Sequence, residues 1–126
     1  VVFTTTAMDL AAGLDRWRVF HDRSGRRGLD SLQMGIGTRL IPGLESHMVP
    51  AVELLLVTQS LRAPLREGRW AVIEEEMKNS GEKTGMRTLN QSLLQLLLRR
   101  KIEMRSAFQE SQNPDEFDLL LKKVGI

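Results

Sequence analysis

Several things are missing from this chain, and each absence closes a class of function. There is no cysteine among its 126 residues, so disulfide staples, thiolate metal sites and thiol nucleophiles or redox couples are excluded. The only histidines are His21 and His47, and neither has a second His or a spaced carboxylate cluster to complete a metal site. No apolar run approaches the ~20 residues that span a bilayer; the longest, "AVELLLV" and "LLQLLL", are far shorter. The N-terminus lacks the basic flank and cleavage site of a signal peptide, and a cytoplasmic location is expected. Charge of one sign is missing too: 18 basic residues face 16 acidic ones. With that near balance, nucleic acid is not expected as a partner.

A complete phosphate cradle is also absent. In "SGEKTGMRTLNQSLLQLLL" the Glu-Lys-Thr at Glu82 to Thr84 suggests the end of a GxxxxGK[ST] loop, but Glu82 and Met77 stand where glycines are required. Such a loop wraps backbone N–H groups around phosphate, and Glu82 would put a carboxylate among them. "GIGTRL" lacks the third glycine of a dinucleotide fingerprint and leads into an apolar strand instead of a helix. Ser80 to Gly85 therefore reads as a turn between helices. No residue of this chain is assigned a catalytic role.

What is present reads as one domain of α/β class, mostly α. "VVFTTT" is a β-branched strand that opens without a polar lead-in, as an interior strand does when cut from a longer protein. Asp9 caps a helix through about Phe20, with Leu10, Leu14 and Trp17 on its buried stripe. A second helix is expected from Leu29 to Gly37, with Leu29, Leu32 and Ile36 on one face and with Gly35 and Gly37 marking an early end or close packing. "TRLIPGL" and "MVPAVELLLV" predict an antiparallel hairpin, with Pro42 and Pro50 at edges, starts or bulges.

From Thr58 onward everything reads helical. Trp70, Ile73 and Met77 share a face, and Glu74 pairs with Lys78 outside it. Thr88 and Gln91 form a capping box before Leu89, Leu93, Leu96 and Leu97. Met104 to Gln112 makes a short helix. Asn113 and Pro114 open the last one, striped by Phe117, Leu120, Leu121 and Val124 and stopped by Gly125.

Certain segments carry a resemblance. "GMRTLNQSLLQLLLRRKI" is similar to the Gly-Met-Gln-Thr-Phe-Asp-Gln-Ser-Leu segment of PilT-like retraction ATPases of type IV pili, within the type II/IV secretion ATPase superfamily. "VPAVELLL" and "SLRAPLREGRW" resemble that family's strand and Ala-Ile-Arg-Asn-Leu-Ile-Arg-Glu-Gly helix. "TRLIPGL" resembles its Gln-Arg-Leu-Leu-Pro strand, "NPDEFDLLLK" its closing Asn-Pro-Asp helix, and "VVFTTTAMDLAAGLDRW" the strand and helix after its Walker B element. The segments occur in the family's order along essentially the whole chain.

The resemblance implies the C-terminal portion of a RecA-like ATPase domain with a short β-hairpin, followed by a helical C-terminal bundle. Residues 1–57 would end the core (strand, two helices, hairpin) and residues 58–126 would form the helical region. It implies a hexameric ring that couples ATP hydrolysis to pilus disassembly (twitching motility) or secretion. Its expected partners are inner-membrane platform components, to which it would be peripheral.

ATP and Mg²⁺ would be bound mainly by residues upstream of this chain, which is expected to be inactive alone. Thr4, Thr5 and Thr6 would lie near the nucleotide at a strand end. Ser60, Leu61, Arg62, Leu65, Arg66 and Glu67 would form the interaction motif. The resemblance also implies an imidazole near the γ-phosphate, and no register of "TTTAMD" supplies one: Thr6 or Ala7 falls there. Pro64 inside the Arg-Glu helix predicts a kink or a fresh start. The alternative reading is a non-enzymatic helical adaptor that docks on a motor or scaffold through the Arg62 to Glu67 surface.

Overall fold

The computed structural model describes residues 4, 7–23 and 28–126. The expected strand at "VVFTTT" therefore lies outside the described residues, apart from Thr4, an exposed coil position. Helix α1 spans Leu10–Arg23, longer than the expected stop near Phe20. Asp9 caps it: its carboxylate accepts from Ala12 N at 2.6 Å and its carbonyl from Gly13 N at 3.1 Å.

The expected helix at Leu29 to Gly37 does not form. A single 3₁₀ turn, Gly28–Ser31, gives way to strand β1, Met34–Pro42. Leu29, Leu32 and Ile36 match a helical period, but Met34 to Thr38 alternate with period two, and β2 (Met48–Leu56) supplies the ladder that decides between them. Gly35 and Gly37 are there for close packing. A Cβ on Gly35 would stand 3.1 Å from Leu10 Cδ1, and one on Gly37 would stand 2.9 Å from Glu53 Oε2 and 3.2 Å from Leu10 Cβ.

β1 and β2 pair antiparallel, from Met34 opposite Leu56 to Pro42 opposite Met48, as the hairpin reading predicts. Gly43 N donates to His47 O at 2.8 Å across the turn, and Val57 N to Gln33 O at 2.9 Å at the open end. Odd positions of β1 are therefore the hydrogen-bonded pairs, and the even-numbered N–H positions of β2 point away from β1. Pro50 has no N–H to leave unpaired there. Val52 N donates to Ser92 Oγ and Leu54 N to Arg87 O, both at 2.9 Å, so β2's outer edge is covered.

The helices follow. A 3₁₀ turn, Gln59–Leu61, leads into α2, Arg62–Glu67, with Pro64 in its first turn, where a missing N–H costs nothing. This is the fresh start that Pro64 predicts. α3 runs Trp70–Thr84 and ends on Gly85 at φ 81°. α4, Leu89–Leu98, starts with the predicted capping box: Gln91 N donates to Thr88 Oγ1 at 3.3 Å and Thr88 N to Gln91 Oε1 at 3.0 Å. α5 is Met104–Glu110, shorter than expected. α6, Pro114–Lys123, is capped by Asn113 Oδ1, which accepts from Glu116 N at 3.2 Å. Its stripe buries Phe117 and Leu121 but leaves Val124 exposed.

Two apolar clusters result among the described residues. One gathers Leu14, Leu29, Leu55, Leu61, Leu65, Ile73, Met77 and Met86, with Trp17 and Trp70 against it. The other gathers Ile41, Ala51, Leu89, Leu93, Ile102, Ala107, Phe117 and Leu121. The hairpin's inner face serves both. On β2, Ala51 belongs to one cluster and Leu55 to the other, and Glu53 lies between them; on β1, Arg39 stands next to Ile41, opposite Ala51 and diagonal to Glu53.

Candidate functional site

α2 carries the expected interaction motif, and its side chains divide by face. Leu61 and Leu65 are buried in the first cluster, 2% and 0% exposed. Arg62 reaches back over the 3₁₀ turn before β1, donating from Nη1 to Asp30 O at 3.0 Å and also to Leu32 O. Arg66 Nε donates to Asp30 Oδ1 at 3.1 Å. One residue, Asp30, thus anchors both arginines. Glu67 pairs with Arg69 at 2.6 Å and Ser60 Oγ lies 2.9 Å from Thr58 Oγ1, both in exposed positions. Gly68 ends α2 at φ 69°, where a Cβ would stand 3.1 Å from the Arg18 guanidinium. This surface is therefore short and rigid, with Arg66 and Glu67 accessible on it.

Beside it lies a cleft of about 90 Å³ between α1, β2, α3 and the starts of α4 and α6. Leu10, Leu14, Leu55, Trp70, Ile73 and Met77 form its apolar wall, and Asp9, Glu53, Glu74 and Glu116 its polar one. Trp70 is fixed by its indole N–H, which donates to Asp15 Oδ1 at 3.2 Å, while Asp15 also holds Arg18 at 2.9 Å.

Glu53 accepts from Leu10 N at 3.1 Å. Burial pushes its carboxyl above the ordinary range; the Leu10 N–H pulls the other way, Asp9 adds to the rise, Arg39 opposes it and Glu74 adds slightly more. At the far end, Asn90, 5% exposed, donates from Nδ2 to Asn113 O at 3.1 Å and to Glu116 Oε2 at 2.6 Å, and accepts from Ser111 Oγ at 2.6 Å. Lys78 closes this network with an ion pair to Glu116 and lies 3.9 Å from Glu74. The ion pair raises the Lys78 pKa, against a smaller opposing effect of burial. The predicted Glu74–Lys78 pair is thus the weaker of that lysine's two contacts.

A nucleoside triphosphate does not fit these residues. Among the described residues the cleft has carboxylates and no cation on its wall, and its volume is below the ~300–1,000 Å³ usual for small-molecule sites. Among the described residues no group of His, Asp or Glu could hold a metal ion. Thr5 and Thr6 lie outside the described residues, so the threonine expectation rests on Thr4 alone, which is exposed.

The sequence did not point to Arg39. Its guanidinium donates to Glu110 O at 3.0 Å, to Glu110 Oε2 at 3.4 Å and to Met8 O. With Glu53 holding Leu10 N, the hairpin grips the lead-in to α1 at two points and the end of α5 at a third. A polar residue on the inner, alternating face of an apolar strand was the available signal.

No protein-family model and no curated protein sequence matches the chain. Solved structures do match. The pilus retraction motor PilT, determined with bound ADP, superposes with a TM-score of 0.66 at 23% identity over 94% of this chain and 33% of its own. The ATPase DotB of Legionella pneumophila superposes with a TM-score of 0.59 at 13% identity over 94% of this chain and 30% of its own. The chain thus spans about a third of the length of each. A likeness that runs through the hairpin and the helices alike gives this chain the fold of the C-terminal portion of a PilT-like secretion ATPase.

Proposed function

We propose that this chain is the C-terminal portion of a motor ATPase of the pilus-retraction and secretion type, working as one subunit of a hexameric ring. The observation that carries the reading is the extent of the fold match: nearly the whole chain aligns, yet only a third of the motor is accounted for. The outer face of the hairpin supports it. Met34, Ile36, Leu40 and Met48 are each about half exposed there, an apolar face of the kind that a larger domain covers. ATP and Mg²⁺ are then held mainly by a phosphate loop and carboxylates upstream of this chain.

In this reading the chain's own task is transmission. The lead-in to α1 follows the threonines expected beside the nucleotide, and Arg39 and Glu53 tie it to the hairpin and to α5. α2 presents Arg66 and Glu67 to the pilus or secretion platform at the inner membrane. The test has two arms. The coding sequence upstream must encode GxxxxGK[ST]. In the assembled motor, Arg66→Ala with Glu67→Ala must leave ATP turnover within about twofold while abolishing movement or secretion. Loss of turnover together with movement would place these residues in ring assembly instead, and an open reading frame beginning at Val1 would overturn the motor reading.

A further inference from the structure

Four cations fall within the seven residues from Arg99 to Arg105. Elsewhere Arg18, Arg39, Arg66, Arg69, Lys78 and Lys122 each hold a carboxylate partner. Arg99, Arg100, Lys101 and Arg105 are all exposed, and no ion pair engages them among the described residues. The dipole of α4 favours cations at its C-terminus, which accounts for Arg99. It does not account for Arg105, in the first turn of α5, where a cation opposes the dipole. Nor does it account for Arg100, held at φ 55° in the left-handed region that favours glycine or asparagine.

The loop between α4 and α5 is also fixed. Arg99, Arg100 and Lys101 donate their N–H groups to Gln95, Leu97 and Leu96 carbonyls at 2.9 to 3.0 Å. Ile102, 2% exposed, plugs the second cluster and bridges to Gly43, and Leu44 N donates to Lys101 O at 3.2 Å. Apolar side chains stand out among the cations: Leu98 is 54% exposed, Leu44 50% and Met104 37%. Glu45 and Glu103 are the only carboxylates in these two adjoining segments.

We propose that the α4–α5 loop and the hairpin tip beside it dock directly on an anionic lipid bilayer, the cations against headgroup phosphates and Leu44, Leu98 and Met104 at the acyl boundary. Protruding aliphatic residues within a cationic patch suit an interface that is charged outside and apolar just beneath. An acidic protein surface would pair the cations but leave those side chains unmatched. Nucleic acid would call for stacking aromatics, and Leu98 to Arg105 contains none. The inference stands on this surface alone and holds whether or not the chain belongs to a motor.

The test is co-sedimentation of the chain with vesicles of phosphatidylcholine alone or mixed in equal parts with phosphatidylglycerol. Binding is expected only to the mixed vesicles and should weaken with salt. The variant carrying Arg99→Gln, Arg100→Gln, Lys101→Gln and Arg105→Gln should lose more than about tenfold, since each surface cation contributes roughly a factor of five. A control neutralising Arg23, Lys83 and Lys123 should bind like the wild type, and Leu44→Ser with Leu98→Ser should bind several-fold more weakly at unchanged salt dependence. Circular dichroism establishes that each variant is folded. Failure of the wild type to bind mixed vesicles overturns the proposal. So does equal loss in the control, or a preference for poly-aspartate over vesicles.

Discussion

Replacing Asn90 with alanine tests the cleft's construction most directly. Asn90 is nearly inaccessible, and its amide joins three backbone or side-chain groups from two other elements: Asn113 O, Glu116 Oε2 and Ser111 Oγ. Of these bonds, the one to the Glu116 carboxylate is charge-assisted, worth ~1.5–3 kcal/mol, and the neutral ones are worth ~1 kcal/mol each. Ser111 and Asn113 lie near the surface, where water replaces part of what is lost. Asn90→Ala should therefore cost about 2–3 kcal/mol. With a urea m-value of ~1.5 kcal/mol/M, the unfolding midpoint falls by about 1.3–2 M.

Location is as informative as size. Asn79 makes a comparable bond to Glu75 Oε1 at 3.0 Å, but in solvent, and Asn79→Ala should cost less than ~0.5 kcal/mol. Hydrogen exchange in the Asn90 variant should rise first in α6, whose cap residue Asn113 Asn90 steadies. Combining Asn90→Ala with Ser111→Ala should give a coupling energy of about 1 kcal/mol. A cost for Asn90→Ala indistinguishable from that of Asn79→Ala, or no coupling to Ser111, would refute the claim that this network organises the junction of α4 and α6.

Other outcomes follow from the same geometry. Glu53 has a raised folded-state pKa, so its contribution to stability is most favourable below the ordinary Glu value and is lost as pH rises through the raised one. Glu53→Gln, which keeps an acceptor for Leu10 N, should match or exceed wild-type stability at pH ~7, and its advantage should shrink in urea titrations as pH falls toward ~5. Gly43→Ala would put a Cβ 2.7 Å from His47 O and 2.8 Å from Val49 Cγ2; backbone cannot yield cheaply there, so a calorimetric melt should show a loss of about 2–4 kcal/mol. Arg39→Met should raise hydrogen exchange at the start of α1 and at the end of α5 together, with α3 unaffected, because one guanidinium serves both places.

What the sequence made legible was local. Caps read correctly because they depend on a residue and its neighbours within a turn: Asp9 with Ala12, Thr88 with Gln91, Asn113 with Glu116. Pro64 marked a helix start for the same reason. Met34 to Gly37 failed because its spacing suits a helix face as well as a strand, and the deciding partner, Glu53 to Leu56, lies in another segment. The candidate site follows the same division. Arg62 and Arg66 could be singled out from their own segment, but Asp30, which anchors both, is more than thirty residues away. Asn90 carried no local mark at all: it looked like one more polar residue in a helix's first turn, and only the packing of α6 against α4 makes it a buried hub.

The hairpin's inner face links the two apolar clusters of the described residues. Alternation along β2 places Ala51 in one cluster and Leu55 in the other, and a hydrophobic residue between them would have fused the two. Glu53 stands there instead, with Arg39 diagonally across the ladder, and both spend their bonds on elements from outside the hairpin: the start of α1 and the end of α5. Burying a carboxylate is unfavourable, as its raised pKa records. A position that retains one at that cost, within reach of an arginine holding two remote segments, joins the clusters by directional contacts that a small rotation would break. Apolar packing there would be stronger and would tolerate sliding; the polar belt instead fixes one alignment of α1, the hairpin and α5.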